Sequence, residues 1–171
     1  VAGGMLHSEK PLGIIPAGSG NDLIKSLHVP HAIDEAIETI LAGHTRVIDV
    51  GMINELCFIN VVGIGFDAAV NHASHSIGWP AGGLLRYVVA LLKTLGTYEP
   101  VRMTVTVDSA MRVQELFLLT IGNGTTCGGG FRLTPNARLD DGRLDVTLVK
   151  PISVLNLLWH LPKVFAGTLG R

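Results

Sequence analysis

Short apolar segments separated by turn residues occupy most of the chain after residue 44, and this spacing constrains the fold more than any other feature. Five segments rich in apolar and β-branched residues predict strands at residues 45–50, 57–62, 101–107, 114–121 and 144–149. Glycine, asparagine or aspartate marks the turns at 51–54, 108–109 and 141–142. Because short turns join most of these strands, the pattern predicts an antiparallel sheet or sandwich.

Helices are predicted before, within and after this region, because apolar residues recur there at helical spacing. The predicted helices lie at residues 23–27, 31–43, 67–76, 84–95 and 152–167. The last is expected to bend at Pro162, and a Gly-Trp-Pro segment at 78–80 is expected to separate two others. An apolar run at 11–15 predicts a buried strand. The chain is thus predicted to be α+β with helical insertions, and a domain boundary is placed near residue 44.

Composition excludes several classes of protein. The 13 basic and 14 acidic residues give a net charge of −1, so no overall field attracts nucleic acid or an anionic membrane. Two cysteines without a CxxC pattern give neither a zinc site nor a disulfide framework, which favours the cytoplasm. The longest apolar stretch contains Arg86 and Lys93 and is too short to cross a bilayer. We expect a soluble protein, at most peripheral at the inner membrane face.

The strongest local signal is Pro-Ala-Gly-Ser-Gly-Asn-Asp at residues 16–22. Gly18 and Gly20 allow backbone N–H groups to approach a phosphate, and Ser19 adds a hydroxyl donor. Asn21 or Asp22 is placed to cap the following helix, and Asp22 is expected to hold a side chain or a hydrated metal beside the phosphates. An ordinary left-handed turn that caps a helix explains the same residues, and spacing alone leaves both interpretations open.

The second signal is a run of three glycines at 128–130, followed by a turn with adjacent aspartates. Consecutive glycines let a ligand or another segment pack against the backbone. Asp140 and Asp141 offer hard oxygen ligands for magnesium or calcium. The alternative is a plain β-hairpin, since Asp141-Gly142 is a common two-residue hairpin turn. Spacing favours the hairpin, although a metal can also lie in a turn.

The third signal is Gly-Ile-Gly-Phe-Asp at residues 63–67, where a strand is expected to pass into a helix. Asp67 would lie in the first helical turn, where the helix dipole favours a negative charge whatever the function. A structural role is therefore the simpler interpretation of Asp67.

The order of these segments is more specific than any one of them, and it resembles the catalytic family of the diacylglycerol kinases, closest to its bacterial lipid-kinase branch and related to the sphingosine kinases. The segments that carry the resemblance lie at 16–22, 48–51, 60–67, 122–123, 128–130, 135–137 and 141–145. Together they cover nearly the whole chain.

The resemblance implies two lobes and a kinase site. Residues 1–44 would be the end of an α/β nucleotide-binding lobe, and residues 45–171 an antiparallel β-sandwich lobe. Gly18, Ser19, Gly20, Asn21 and Asp22 would bind ATP. By resemblance, Asp141, and with less support Asp140, would bind Mg²⁺, and Gly65 and Asp67 would lie near the lipid cleft. These nine residues are the predicted site.

The resemblance also implies that parts of the family site lie outside these 171 residues. Its Gly-Gly-Asp-Gly-Thr loop would precede residue 1, and an acidic candidate for the catalytic base would follow Arg171. Catalytic residues are thus expected outside the chain, which alone is expected to be inactive. The acceptor would be a lipid alcohol at a membrane surface. The alternatives are a kinase of a related superfamily such as NAD kinase, a non-catalytic nucleotide- or lipid-binding relative, and a globular domain whose loops are only turns. The lipid and the oligomeric state stay open.

Overall fold

Helices and short strands follow one another in groups along the chain. A computed structural model describes residues 2–77 and 83–168, except for the side chains of residues 83, 84 and 87. A 3₁₀ turn at Ala2–Met5 comes first. The helices are α1 (Asp22–Leu27), α2 (Ile33–Leu41), α3 (Phe66–Ser76), α4 (Gly83–Leu95) and α5 (Val154–Ala166). The strands are β1 (Gly51–Ile53), β2 (Leu56–Phe58), β3 (Val61–Gly65), β4 (Val101–Val107), β5 (Ala110–Leu116), β6 (Leu118–Gly122) and β7 (Asp145–Val149).

Every strand pair in the described residues is antiparallel. β6 lies between β3 and β7 in a three-stranded sheet, in which Thr120 pairs with Gly63 on one side and Thr147 on the other. β1 with β2, and β4 with β5, form two separate hairpins. The predicted α+β class with antiparallel sheets and helical insertions is therefore confirmed.

The core lies where β6 meets α3, α4 and α5. Its fully packed apolar members are Phe66, Val70, Ala90, Leu95, Phe117, Leu118, Leu133 and Val164. The rings of Phe66 and Phe117 stack with their centroids 4.4 Å apart, and Tyr98 meets both rings edge-on at 5.5 Å. These aromatic contacts fix the start of α3 against the sheet, which positions the β3–α3 junction.

The helix predictions agree with the structure to within a few residues. Ser153 caps α5, because its hydroxyl accepts a hydrogen bond from the N–H of Asn156, and Gly167 ends the helix with a φ of 69°. Pro162 lies inside α5. The predicted break at 78–80 lies outside the described residues. No described helix combines the length and apolar character that a bilayer crossing requires.

Two predicted strands are wrong. Residues 11–15 form no strand, and Leu12 and Ile15 remain 42% and 47% exposed, because no described strand lies alongside to take their backbone hydrogen bonds. Residues 45–50 also form no ladder. The N–H of Asp49 donates one backbone hydrogen bond to the carbonyl of Leu139, and Val47 is 89% exposed.

Two other predicted strands are each divided. The segment at 57–62 breaks before Val61 because the carbonyl of Asn60 accepts from the N–H groups of Asn123 and Gly124 rather than from a ladder. The segment at 114–121 breaks at Phe117, whose N–H donates to Val149 and whose carbonyl accepts from Phe66. The predicted turn at 51–54 is also shorter, since residues 51–53 form β1.

Candidate active site

The glycine loop, residues 17–22, is held closed by the side chain of Asn21. The Oδ1 atom of Asn21 accepts from the N–H of Gly18 at 3.0 Å, and its Nδ2 donates to the carbonyl of Gly18 at 2.8 Å. Asn21 has a φ of 47°, a left-handed conformation that asparagine tolerates better than most residues. Its amide therefore closes the loop rather than capping α1, so the capping prediction is wrong for this residue.

Asp22 joins the glycine loop to the glycine run, residues 128–130. Its Oδ2 accepts from the N–H of Gly129 at 2.7 Å, and its Oδ1 pairs with the ammonium of Lys25 at 2.7 Å. Asp22 therefore does not cap α1 either. A Cβ on Gly20 would lie 3.6 Å from the backbone of Gly129, so the two glycine segments pack backbone against backbone. This close approach is what the glycine run was predicted to allow.

A second set of contacts ties α1 to the segment after β6. The hydroxyl of Ser26 accepts from the N–H of Thr125 at 3.0 Å and lies 3.1 Å from the Thr125 hydroxyl. On the other side of this segment, Asn60 donates from Nδ2 to the carbonyl of Thr126 at 3.0 Å. The segment that leads to the glycine run is thus held from both sides.

Asp49 and Asn123 extend these contacts to the aspartate turn, residues 139–142. Asn123 is fully buried, and its Nδ2 donates to the carbonyls of Asp49 at 2.7 Å and Ile59 at 3.2 Å. The Oδ2 of Asp49 then accepts from the N–H of Gly142 at 2.7 Å. A continuous series of packed and hydrogen-bonded segments therefore runs from the glycine loop to the aspartate turn.

The two adjacent aspartates of this turn have different surroundings. Asp140 pairs with Arg46 at 2.7 Å, and the hydrogen bond from that guanidinium holds the pKa of Asp140 below its ordinary value. Asp141 is exposed and accepts from the N–H of Arg143 through Oδ1 at 3.1 Å. Asp141 is therefore the more available of the two for a cation.

The hairpin alternative for this turn is wrong. β7 follows the turn but pairs with β6, so Asp141-Gly142 does not connect two paired strands. In the described residues, no group of three His, Cys, Asp or Glu side chains is arranged to hold a metal. A metal at this turn would consequently depend on Asp141 together with backbone oxygens and water, and its binding stays a prediction.

The β3–α3 junction depends on glycine. Gly65 has a φ of 92°, and a Cβ there would lie 2.9 Å from both the Phe117 carbonyl and the Tyr98 hydroxyl. Gly63 leaves room for the side chain of Asp67, in the first turn of α3. Gly63 therefore lets the carboxylate of Asp67 lie directly against β3, and Gly65 lets the chain turn from β3 into α3.

Asp67 also lines a cavity of about 640 Å³ whose walls are mainly apolar. α3, α4, β7, α5 and the segment that includes Cys127 and Leu133 contribute to its lining. Asp145 lies at the same cavity, where burial and the negative charge of Asp141 raise the pKa of its carboxyl group. The cavity could accommodate an apolar molecule, with carboxylates among its few polar groups.

Cys127 also lines this cavity. Burial, and after it the negative charges of Asp67 and Asp22, raise the pKa of its thiol to about 12. A carboxylate of the glycine loop and a carboxylate of the β3–α3 junction therefore both act on this thiol.

Sequence reasoning did not identify Ser26, Asp49, Asn60 and Asn123 as site residues, although the last three lie in segments that carried the resemblance. A polar residue next to an apolar strand was the available signal, since a buried amide requires hydrogen-bond partners. Their hydrogen-bond partners are remote in sequence. The pattern therefore indicates that such a residue is buried and bonded, but not which segment it contacts.

Comparison with known proteins agrees with this arrangement. The family described as "Diacylglycerol kinase catalytic domain" matches residues 1–53, and the family described as "YegS C-terminal NAD kinase beta sandwich-like domain" matches residues 60–170. These two matches define the class as lipid kinases of the diacylglycerol kinase type. The chain belongs to the family that combines these two domains.

Individual relatives support this membership. A "Diacylglycerol kinase" of Mycobacterium tuberculosis (strain CDC 1551 / Oshkosh) is 37% identical over 164 residues, which cover 92% of this chain and 53% of the relative. The "Probable lipid kinase YegS" of Escherichia coli O9:H4 (strain HS) is 31% identical over 148 residues, covering 86% and 50%. The chain thus spans about half the length of these relatives.

A solved structure of a diacylglycerol kinase from Bacillus anthracis str. Sterne has a similar fold. It superposes with a TM-score of 0.67 at 30% sequence identity, over 91% of this chain and 50% of that chain.

Proposed function

We propose that this chain is part of an ATP-dependent lipid kinase that transfers the γ-phosphate of ATP to a lipid hydroxyl. One observation carries the proposal: Asp22 of the glycine loop is hydrogen-bonded to Gly129, in the segment that also lines the apolar cavity through Cys127. A phosphate held at the loop would thereby lie close to an acceptor held in the cavity. Such closeness is the main requirement for phosphoryl transfer, which depends chiefly on positioning and charge stabilisation.

The glycine loop is suited to ATP phosphates. The N–H of Gly18 donates to the side chain of Asn21, whereas the N–H groups of Ser19 and Gly20 have no hydrogen-bond partner within the described chain. Donors of this kind, next to an exposed serine hydroxyl, are what a phosphate requires. We therefore assign Gly18, Ser19, Gly20, Asn21 and Asp22 to the nucleotide, with Asn21 and Asp22 holding the loop in shape.

Magnesium is the proposed cofactor, with Asp141 as its side-chain ligand. A bound magnesium ion would offset negative charge that develops on the transferring phosphoryl group. Asp141 is exposed and has oxygen capacity beyond its one hydrogen bond, which suits a largely hydrated Mg²⁺. Asp140 suits the role less well, because Arg46 already pairs with its carboxylate.

The acceptor is proposed to be a lipid alcohol whose acyl part occupies the apolar cavity. Gly65 and Asp67 belong to this acceptor region, because Asp67 contributes a carboxylate to a lining that is otherwise mainly apolar. The lipid would reach the cavity from a membrane surface, which implies a peripheral protein at the inner face of the cytoplasmic membrane. Residues 1–44 and 45–171 are proposed to belong to two different lobes.

Radiolabelled phosphate transfer tests the proposal. The full-length gene product, given [γ-³²P]ATP, Mg²⁺ and dispersed diacylglycerol or sphingoid base, should produce a labelled lipid. The 171-residue chain alone is the comparison, and it is expected to be inactive. Asp141→Asn in the full-length product should reduce Mg²⁺-dependent turnover about a hundredfold, whereas the exposed control Asp34→Asn should not.

Other outcomes would favour the alternative. Binding of ATP or lipid without any labelled product would indicate a non-catalytic nucleotide- or lipid-binding relative. Unchanged turnover in Asp141→Asn would remove the metal assignment while leaving the kinase proposal in place.

A further inference from the structure

α5 is apolar on two sides that face different surroundings. On its inner side, Leu157, Leu161 and Val164 line the cavity. On the outer side, Leu155 and Trp159 are 79% and 76% exposed. A helix that only covered a cavity would have a polar outer side, so the apolar residues at these two positions need another explanation.

The outer residues form one line along the helix. Leu155, Trp159 and Lys163 follow each other at intervals of four residues and are all exposed, and we call them the outer stripe. Leu158, beside this line, is 44% exposed and also lines the cavity. Leu158 therefore links the exposed side of α5 to the cavity.

The charge around α5 is compatible with an anionic surface. Residues 146–168 contain no aspartate or glutamate, while Lys163 belongs to the outer stripe and Lys150 precedes the helix. A carboxylate would be repelled by anionic lipid head groups, whereas lysine at such a surface is attracted. Tryptophan favours the boundary between lipid tails and water, because its ring is apolar and its N–H is polar.

We propose that α5 docks the protein onto an anionic lipid bilayer by inserting the outer stripe. Exposed leucine and tryptophan beside lysine on one side of a helix are typical of helices that lie in the membrane interface. The inner side of the same helix lines the cavity, so docking brings the cavity to the lipid phase. The identity of the cavity's occupant rests on the proposed function, whereas the docking itself does not.

Vesicle binding of the full-length gene product, measured without nucleotide, tests this directly. Vesicles of phosphatidylglycerol and phosphatidylcholine should bind the protein. The double variant Leu155→Ser/Trp159→Ser should bind about tenfold more weakly, because both substitutions remove apolar surface from the interface. The matched control is Leu41→Ser/Val47→Ser, at residues that are 80% and 89% exposed away from α5, and it should bind as the unchanged protein does.

Fluorescence of Trp159 shows whether a bilayer, another part of the protein or a second copy covers the outer stripe. With every other tryptophan changed to phenylalanine, Trp79 included, emission should shift to the blue and acrylamide quenching should fall when vesicles are added. Strong protection of Trp159 before vesicles are added would mean that another part of the protein covers it, and would overturn the proposal. A dimer that dissociates in the double variant, without vesicle binding, would overturn it in favour of a second copy.

The kinase assay distinguishes failure of this inference from failure of the proposed function. Phosphorylation of a short-chain diacylglycerol dissolved in water should be the same in the double variant, while phosphorylation of vesicle-bound lipid should fall with binding. If the double variant binds vesicles as the unchanged protein does, docking through α5 is refuted and the proposed function is not. If docking depends on the outer stripe but the protein phosphorylates neither lipid, the proposed function is refuted and docking is not.

Discussion

At the residue scale, Asp22 is the side chain through which the glycine loop contacts the rest of the site. Its carboxylate holds the N–H of Gly129 and the ammonium of Lys25, and only 11% of the side chain is exposed. Asp22→Ala should lower the free energy of unfolding by about 1 kcal/mol, because the N–H of Gly129 loses a charged acceptor. Water can take the place of that acceptor and compensates for part of the loss. Urea unfolding measures this change.

Lys25→Ala is the matched control for this change. It removes the ion pair of Asp22 but leaves the hydrogen bond from Gly129, so it should destabilise the protein by a few tenths of a kcal/mol. Equal losses in the two variants would show that the ion pair, and not the contact with Gly129, accounts for the effect.

Cys127 makes a prediction about reactivity and pH. Because burial, Asp67 and Asp22 together raise the pKa of its thiol to about 12, the reactive thiolate is scarce at pH 8. Alkylation of Cys127 by iodoacetamide should be about a hundredfold slower than that of a free cysteine, as peptide mass spectrometry can measure. Rapid labelling of the folded protein would contradict the buried, acidic surroundings described for the thiol.

The raised pKa of Cys127 also makes the free energy of unfolding depend on pH. Between the ordinary pKa of 9.0 and the folded value of about 12, the unfolded chain has lost the thiol proton and the folded chain retains it. This contribution to stability is therefore complete below pH 9 and is lost as the pH rises towards 12. Cys127→Ala should make stability less sensitive to alkaline pH than it is in the unchanged protein.

At the element scale, the β3–α3 junction depends on the glycine at its corner. Gly65→Ala should destabilise the protein by about 2–3 kcal/mol, because the φ of 92° is unfavourable for alanine and the added Cβ would lie 2.9 Å from two oxygen atoms. Gly43→Ala is the control. Gly43 has a φ of 71° but open space around it, so only the backbone cost of about 1 kcal/mol applies. Similar urea midpoints for the two variants would exclude crowding at the junction.

Helices were easier to predict from the sequence than strands. α5 is identified by its apolar spacing, by Ser153 before it and by Gly167 after it, all of which are local. A strand requires a partner that local sequence does not specify. Residues 45–50 have strand composition yet pair through a single backbone bond of Asp49, and Phe117 interrupts a predicted strand because two different elements take its hydrogen bonds.

The candidate site could be predicted from the sequence only in part, for the same reason. The glycines of the loop and the run were recognisable because their conformational freedom is a property of the residue itself. The role of Asn123 was not, since its amide bonds the carbonyl of Asp49, 74 residues earlier in the chain. The pairing of Asp140 with Arg46, 94 residues away, likewise has no local signal.

At the scale of the whole molecule, a series of contacts joins α1 to the aspartate turn. We therefore expect nucleotide binding to stabilise segments beyond the glycine loop. Adding ATP and Mg²⁺ should slow amide hydrogen exchange in residues 17–29 and also in residues 123–131, which Ser26 and Asp22 contact. The β4–β5 hairpin serves as the internal control, because none of these bonds involves it. Protection restricted to residues 17–29 would show that the two segments are independent.

The bond between Asp22 and Gly129 has a consequence for how the protein is made. These two residues are 107 positions apart, so the loop acquires its partner only after the residues between them have been synthesised. Contacts between such remote positions form slowly, since a long segment must first be confined. Synthesis that stops before residue 129 would yield a polypeptide with the loop sequence intact but without this partner.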